Sequence, residues 1–141
     1  MEIFTYISVG PLNAHVNEIL SELLDRIEHH GLYDESRSIK ICVNDSGDER
    51  LIDQNFLNKS KYELIRTNKP YEFGALELLW SESLVREANF CYVHTKGISR
   101  VDNACVSDWR RYMSHFILDD WQRRVEDLKD HHCSGVNLQG D

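Results

Sequence analysis

The chain has 141 residues, 41% of them hydrophobic, and sets 16 Lys and Arg against 24 Asp and Glu for a formal net charge of −8. That length fits one domain, residues 1–141, with apolar content enough for a core; the acidic balance argues against a general nucleic-acid binder, whose phosphate contacts need a concentrated excess of cations. No run approaches the roughly 18 apolar residues of a membrane span, and "MEIFTYISVG" lacks the basic region and cleavage site of a signal peptide, so the expected location is cytoplasmic.

In chain order, "IFTYISV" (residues 3 to 9) is β-branched and aromatic with apolar residues on both faces, the pattern of a strand covered on both sides, and Gly10-Pro11 ends it. From about Asn13 the period changes. Val16, Ile19, Leu20, Leu23, Leu24 and Ile27 follow the spacing of one helical face, with Asn13 as N-cap and Gly31 as the stop. "SIKICVNDSG" predicts a second strand, Ile39 to Val43, closed by a turn over Asn44 to Gly47. Strand, helix and strand in this order imply a parallel βαβ unit.

"RLIDQNFLNK" reads as a short helix and "YELIRT" as a short strand, before Pro70 breaks the chain. Phe73, Leu76, Leu79, Trp80, Leu84 and Ala88 then recur at helical spacing, and that helix feeds "NFCYVH", a third core strand. Residues 103 to 129 are predicted helical, as two segments meeting near Leu118 to Asp120. Their apolar stripe takes in Cys105, Val106, Trp109, Tyr112, Met113, Phe116 and Ile117, with Asp108, Arg111 and His115 beside it and Arg110 on its other border. Ser134 to Leu138 reads as a last short strand. The whole is α/β with alternating elements.

The four cysteines, Cys42, Cys91, Cys105 and Cys133, are scattered without a Cys-x-x-Cys, and three lie in apolar runs, so buried thiols are expected rather than disulfides. His29-His30 and His131-His132-Cys133 lack the spacing of a zinc site, and no metal ligands are assigned. Arg110, Arg111, Arg123 and Arg124 are interleaved with Asp119, Asp120, Glu126 and Asp127, the pattern of a solvated helix face.

In open parallel sheets ligands bind beyond the carboxyl ends of the strands, where loops and helix N-termini gather. Here those ends are Val9-Gly10, Asn44-Asp45 and His94-Thr95-Lys96-Gly97. Phe90, Tyr92 and His94 share one face of the third strand, and Cys91, Val93 and Thr95 the other. Lys96 reads either as a solvated strand-exit lysine or as a compact cation for a phosphate, with Gly97 allowing close backbone approach. Asp45 reads either as a turn former or as a ribose or metal contact. Trp109 is expected in the core and Arg110 available to an anion. No G-x-x-x-x-G-K-[ST], G-x-G-x-x-G or G-x-S-x-G motif is present.

The order of "YISVG", "GLYDESRSIKICVN", "YEFGALELL", "CYVHTKGIS", "DWRRYMSHFILDDW" and "CSGVNLQGD" resembles, over nearly the whole chain, a family of small glycosyltransferase-like proteins of bacteria, algae and large DNA viruses, distantly similar to rhamnan-synthesis proteins. "YVHTKG" and "DWRRYM" are its most specific parts. The resemblance implies a GT-A-like (Rossmann-like) fold with a mostly parallel sheet flanked by helices, binding a nucleotide-diphospho-sugar donor and passing the sugar to a glycan or polysaccharide acceptor. Within that reading Val9, Gly10, Asn44 and Asp45 are expected around the nucleoside, Thr95, Lys96, Gly97 and Arg110 are expected to bind the donor, with Lys96 and Arg110 on the diphosphate, and His94 and Asp108 are expected in catalytic orientation or acceptor contact. Many GT-A enzymes hold Mn²⁺ or Mg²⁺ with an Asp-x-Asp at the equivalent strand exit; here it reads His94-Thr95-Lys96. The family continues past "GVN" into an aromatic-rich segment, so the expectation is a donor-binding portion, incomplete at the C-terminus, to be completed by a partner chain or a homodimer. The alternative expectation is a non-catalytic nucleotide-binding or interaction module.

Overall fold

The computed structural model of the protein describes residues 1–44 and 49–136. Four strands, β1 (Ile3–Val9), β2 (Ser36–Val43), β3 (Tyr62–Arg66) and β4 (Asn89–His94), form one sheet in the order β3-β2-β1-β4. Every pairing is parallel. Helices cover both faces, which makes the fold α/β and Rossmann-like.

The sheet sorts its side chains by parity. Ile3, Ile7 and Val9 of β1 and Ile39, Ile41 and Val43 of β2 meet the buried stripe of α1 (Val16–His29), formed by Val16, Ile19, Leu20, Leu23, Leu24 and Ile27. Each such aliphatic side chain stabilises the fold by about 1.5–3 kcal/mol when fully buried. On the other face Phe4, Tyr6 and Cys42 pack under Ala75, Leu78 and Leu79 of α3 (Phe73–Ser83). Glu82 pins that helix down by accepting from the Tyr6 hydroxyl at 2.7 Å and from Lys40. Burial alone would raise the Glu82 carboxyl, but the hydrogen bonds from Lys40 and Tyr6 outweigh it and hold the group below its ordinary range.

After a four-residue helix, α2 (Leu32–Glu35), and the four strands, the chain ends in α4 (Ala104–Ser114), a π-turn over His115–Asp119, and α5 (Trp121–Asp127). The π-turn is the junction expected near Leu118 to Asp120. It widens the helix so that Leu118 is fully buried against the α1 side, with Ile117, Trp121 and Val125 beside it.

Several expectations are corrected. The α1 helix starts at Val16, and the Asn13 side chain caps no helical amide: its carboxamide oxygen accepts from His15 N–H at 2.9 Å and its nitrogen donates to the Ile98 carbonyl at 3.1 Å, while the Asn13 backbone carbonyl accepts from Val16 N–H at 3.1 Å. The short helix of the middle segment is a pair of 3-10 turns, Glu49–Leu51 and Gln54–Leu57. Residues 134–136 are not in a strand, and Asn137 and Leu138 lie outside the described residues. Cys42 is buried, but Cys105 and Cys133 are exposed because they sit on the outer side of α4 and of the segment after α5. Trp109 is half-exposed rather than core, and Phe73, Leu76, Trp80 and Leu84 of the third apolar helix face water. Helical periodicity shows that a face is apolar; it does not show that something covers it. No helix among the described residues is long and apolar enough to cross a membrane.

Candidate functional site

The strand order places a reversal between β1 and β4: from β1 the chain winds outward to β2 and β3, then returns to the other side of β1. Beyond the carboxyl ends of two such strands the connections diverge and leave a crevice. The ends of β1 and β4 are Val9-Gly10 and His94 to Gly97, and they are fastened together. Gly10 N–H donates to Thr95 Oγ1 at 3.1 Å, and that hydroxyl donates back to the Gly10 carbonyl at 3.3 Å. Thr95 N–H continues the ladder to the Ser8 carbonyl at 3.0 Å.

From the β2 side, Asn44 N–H donates to the Val9 carbonyl at 3.2 Å, and the buried Asn44 side chain lies against Gly10. A methyl group on Gly10 would stand 1.9 Å from Asn44 Nδ2, so this strand end closes only around glycine. Gly97 is constrained twice, by a φ of 77° and by Val106 Cγ1, 2.1 Å from where its Cβ would stand. Val9, Gly10, Asn44, His94, Thr95, Lys96 and Gly97 are thus brought together. Asp45 lies outside the described residues.

Arg110 is in the same place in a different role from the one expected. It is buried, its Nε and Nη2 donate to Glu22 Oε2 at 3.2 and 3.1 Å, and its Nη1 donates to the Lys96 carbonyl at 3.3 Å. Its guanidinium is committed to α1 and to the strand-exit backbone, which leaves it a support for the loop rather than a cation available to an anion. Asp108 is exposed, with Arg111 as its partner at 3.9 Å, and it joins none of these hydrogen bonds among the described residues.

Lys96 is the exposed cation. Among the described residues its ammonium has no carboxylate partner and stands 5.5 Å from the Trp109 ring centroid, a cation–π placement that holds the long side chain over the strand end. His94, on the α3 face of β4, has Nδ1 3.4 Å from Glu72 Oε1. Burial lowers the His94 pKa, Glu72 opposes that, and Lys96 adds to it; the net direction is downward, so the ring is neutral at neutral pH. Nδ1–H toward Glu72 would leave Nε2 as an acceptor.

Glu72 and the exposed Trp109 escaped the sequence reading. Glu72 arrives through the turn before α3, where Tyr71 takes a φ of 54°, and no local signal marks a carboxylate for contact with a strand 22 positions on. Trp109 falls within an apolar stripe at core spacing, so its half-exposed position had no sequence signature. From this cluster an apolar groove of about 750 Å³ runs along the outer edge of β4, with Glu72, His94 and Lys96 at one end and Phe90, Met113 and Val125 along its walls.

Among the described residues no three His, Cys, Asp or Glu side chains converge on one point. The strand exit itself presents the Lys96 ammonium, 5.5 Å from the Trp109 ring centroid, rather than a carboxylate. Comparison with family models, curated proteins and solved structures gives no match for this chain.

Proposed function

We propose that the chain is a glycosyltransferase, or the donor-binding portion of one, with a GT-A-like fold: it takes a nucleotide-diphospho-sugar at the β1 and β4 ends and passes the sugar to a glycan hydroxyl. The observation that carries this reading is the exposed Lys96 ammonium, without a carboxylate partner among the described residues, held at the carboxyl end of β4 where the strand order reverses. A cation in that position favours the charge that gathers on a departing diphosphate. At Gly10 and Gly97 the missing side chains make room for Asn44 and Val106, which close around the two strand ends beside Lys96.

In the transfer, the bond from the anomeric carbon to the diphosphate oxygen breaks and its electron pair leaves with the nucleoside diphosphate. The acceptor oxygen forms the new bond to that carbon, and its proton passes to Nε2 of the neutral His94 ring. Glu72 supports the positive charge that the ring then carries.

The test is calorimetric titration of the purified chain with UDP, GDP, dTDP and CMP, each with and without Mn²⁺, beside Lys96→Ala. One nucleoside diphosphate should bind, and the variant should bind it at least about ten-fold more weakly, since a hydrogen bond to a charged group contributes about 1.5–3 kcal/mol. Equal affinity in the variant removes Lys96 from the site. Binding without hydrolysis or transfer from the matching nucleotide-sugar gives the nucleotide-binding module instead of the enzyme.

A further inference from the structure

The apolar residues of α1 keep to one face, as a helix with its other side in water requires; those of α3 run round the whole helix. Leu78 and Leu79 join the buried Gly74 and Ala75 and the anchoring Glu82 on the side that meets the sheet. At about 100° per residue Phe73, Leu76, Trp80 and Leu84 fall within a stripe about 80° wide on the opposite side. Leu84, just past the last turn, keeps helical backbone angles, so it belongs to the same row. The Tyr71 ring extends the stripe at its start, 6.4 Å from the ring of Phe73. Burial on both sides is the expected setting for a helix that is apolar all round.

Only one of those sides is covered. The core on the α1 face also takes in residues of the π-turn and α5, whereas α3 is the only helix in the core of the other face among the described residues. It therefore stands out from the sheet with the stripe outward. Tyr71, Phe73, Trp80 and Leu84 each leave 60% to 77% of their surface open, and Leu76 leaves 39%. With roughly 150–250 Å² for an aromatic side chain, the five together expose on the order of 600 Å², the top of the range of about 300–600 Å² for the largest apolar patch of a monomer. Closing two such stripes on each other removes on the order of 1,200 Å² from water, the lower bound for a specific, stable interface.

We propose that the stripe is the interface of a homodimer in which the α3 helices of two copies pack face to face and antiparallel across a two-fold axis. The spacing of the stripe points to a second copy. In an antiparallel pair each residue meets the one equally far along on the other side of the axis. With the axis level with Leu78, Leu76 of each copy meets Trp80 of the other, and Phe73 of each meets Leu84 of the other. Each ring is thus set against an aliphatic side chain, and the patch is its own complement, as a two-fold interface requires. The charge balance allows the contact: two chains of formal net charge −8 meet through a stripe without a charged residue, and Glu77 on its border is paired with Lys69 of its own chain at 3.6 Å.

Sedimentation equilibrium over a range of concentrations tests this. Wild-type chain should dimerise with a dissociation constant in the micromolar range. Leu76→Glu, Trp80→Lys and Leu84→Lys, all at exposed positions, should each raise that constant at least about ten-fold while the far-ultraviolet spectrum stays unchanged. Mixing decides the register. Leu76→Glu with Trp80→Lys sets the new carboxylate against the new ammonium and keeps one native Leu76–Trp80 contact, so the mixture should associate at least about ten-fold more tightly than either variant alone. Leu76→Glu with Leu84→Lys, whose substituted positions do not meet, should stay dissociated. A wild-type monomer at every concentration overturns the proposal and assigns the stripe to a different polypeptide. A dimer indifferent to the three substitutions, or a first mixture no tighter than the second, overturns it equally.

Discussion

Thr95 is the residue on which the junction of the two strand ends turns, because its single hydroxyl serves the Gly10 N–H and the Gly10 carbonyl together. Thr95→Val keeps the shape of the side chain and loses both bonds, leaving two backbone groups of Gly10 without these partners. The expected cost is about 1–3 kcal/mol, seen as a lower urea midpoint at unchanged slope; Thr95→Ser should recover most of it. If the junction also shapes the ligand site, nucleotide affinity falls in Thr95→Val under conditions where the protein is still folded. The sequence marked Thr95 and its glycines as a strand exit through the break from "NFCYV" to "HTKG". It held no sign of the pairing itself, since a bond between residues 85 positions apart follows from sheet order.

At the scale of elements, α4 is held to α1 by the buried ion pair of Arg110 with Glu22, and to the β4 exit by Arg110 Nη1 donating to the Lys96 carbonyl and by Val106 against Gly97. Removing one member of a buried pair leaves the other charge without compensation, at about 3–5 kcal/mol. Glu22 retains some water, so Arg110→Ala should cost about 3 kcal/mol, the lower end of that range. A double-mutant cycle with Glu22→Gln measures the coupling directly; additive effects would show that the two side chains act independently. This pair also explains why the helix was legible in its extent and not in its orientation. The apolar spacing located both helical segments and their junction, while turning α4 so that Trp109 pointed inward and Arg110 outward. The structure has the reverse, because Glu22, fixed on α1, makes burial of the guanidinium affordable, and nothing local to residues 103–129 reveals that partner. The same reasoning covers α3, whose apolar residues were found at the right positions and whose exposed stripe depends on what the rest of the fold leaves uncovered.

For the molecule as a whole, the α/β order and the parallel pairing followed from the alternation of period-2 and period-3.6 segments, whereas the return of β4 to the other side of β1 depends on strand order and became visible only with the fold. The titrating groups that span this architecture give it a particular response to acid. Asp119, in the turn between α4 and α5, accepts from Arg26 of α1 at 2.6 Å and bonds His115 at 3.1 Å. Burial pushes its carboxyl up, but those hydrogen bonds and the charges of Arg26 and His30 outweigh burial and hold it below the usual carboxylate range. Glu28 and Glu82 are held down in the same way, against burial, by Lys59 with Tyr62 and by Lys40 with Tyr6. A carboxylate whose folded pKa is depressed contributes stability that is present above its unfolded value near 4 and is lost as the pH falls through the folded value. His94 is depressed too, chiefly by burial, so the unfolded chain takes up this proton first and stability begins to fall once the pH drops below about 6.5. Urea midpoints measured from pH 8 to pH 3 should therefore hold a plateau above about pH 7, decline below about 6.5, and decline more steeply below about 4. His94→Gln should flatten the upper decline and leave the lower one, and Asp119→Asn should start from a lower plateau and soften the lower decline alone. A single transition unaffected by either substitution would mean that neither group is coupled to folding, and would leave the sheet and its two helical layers as the whole source of stability.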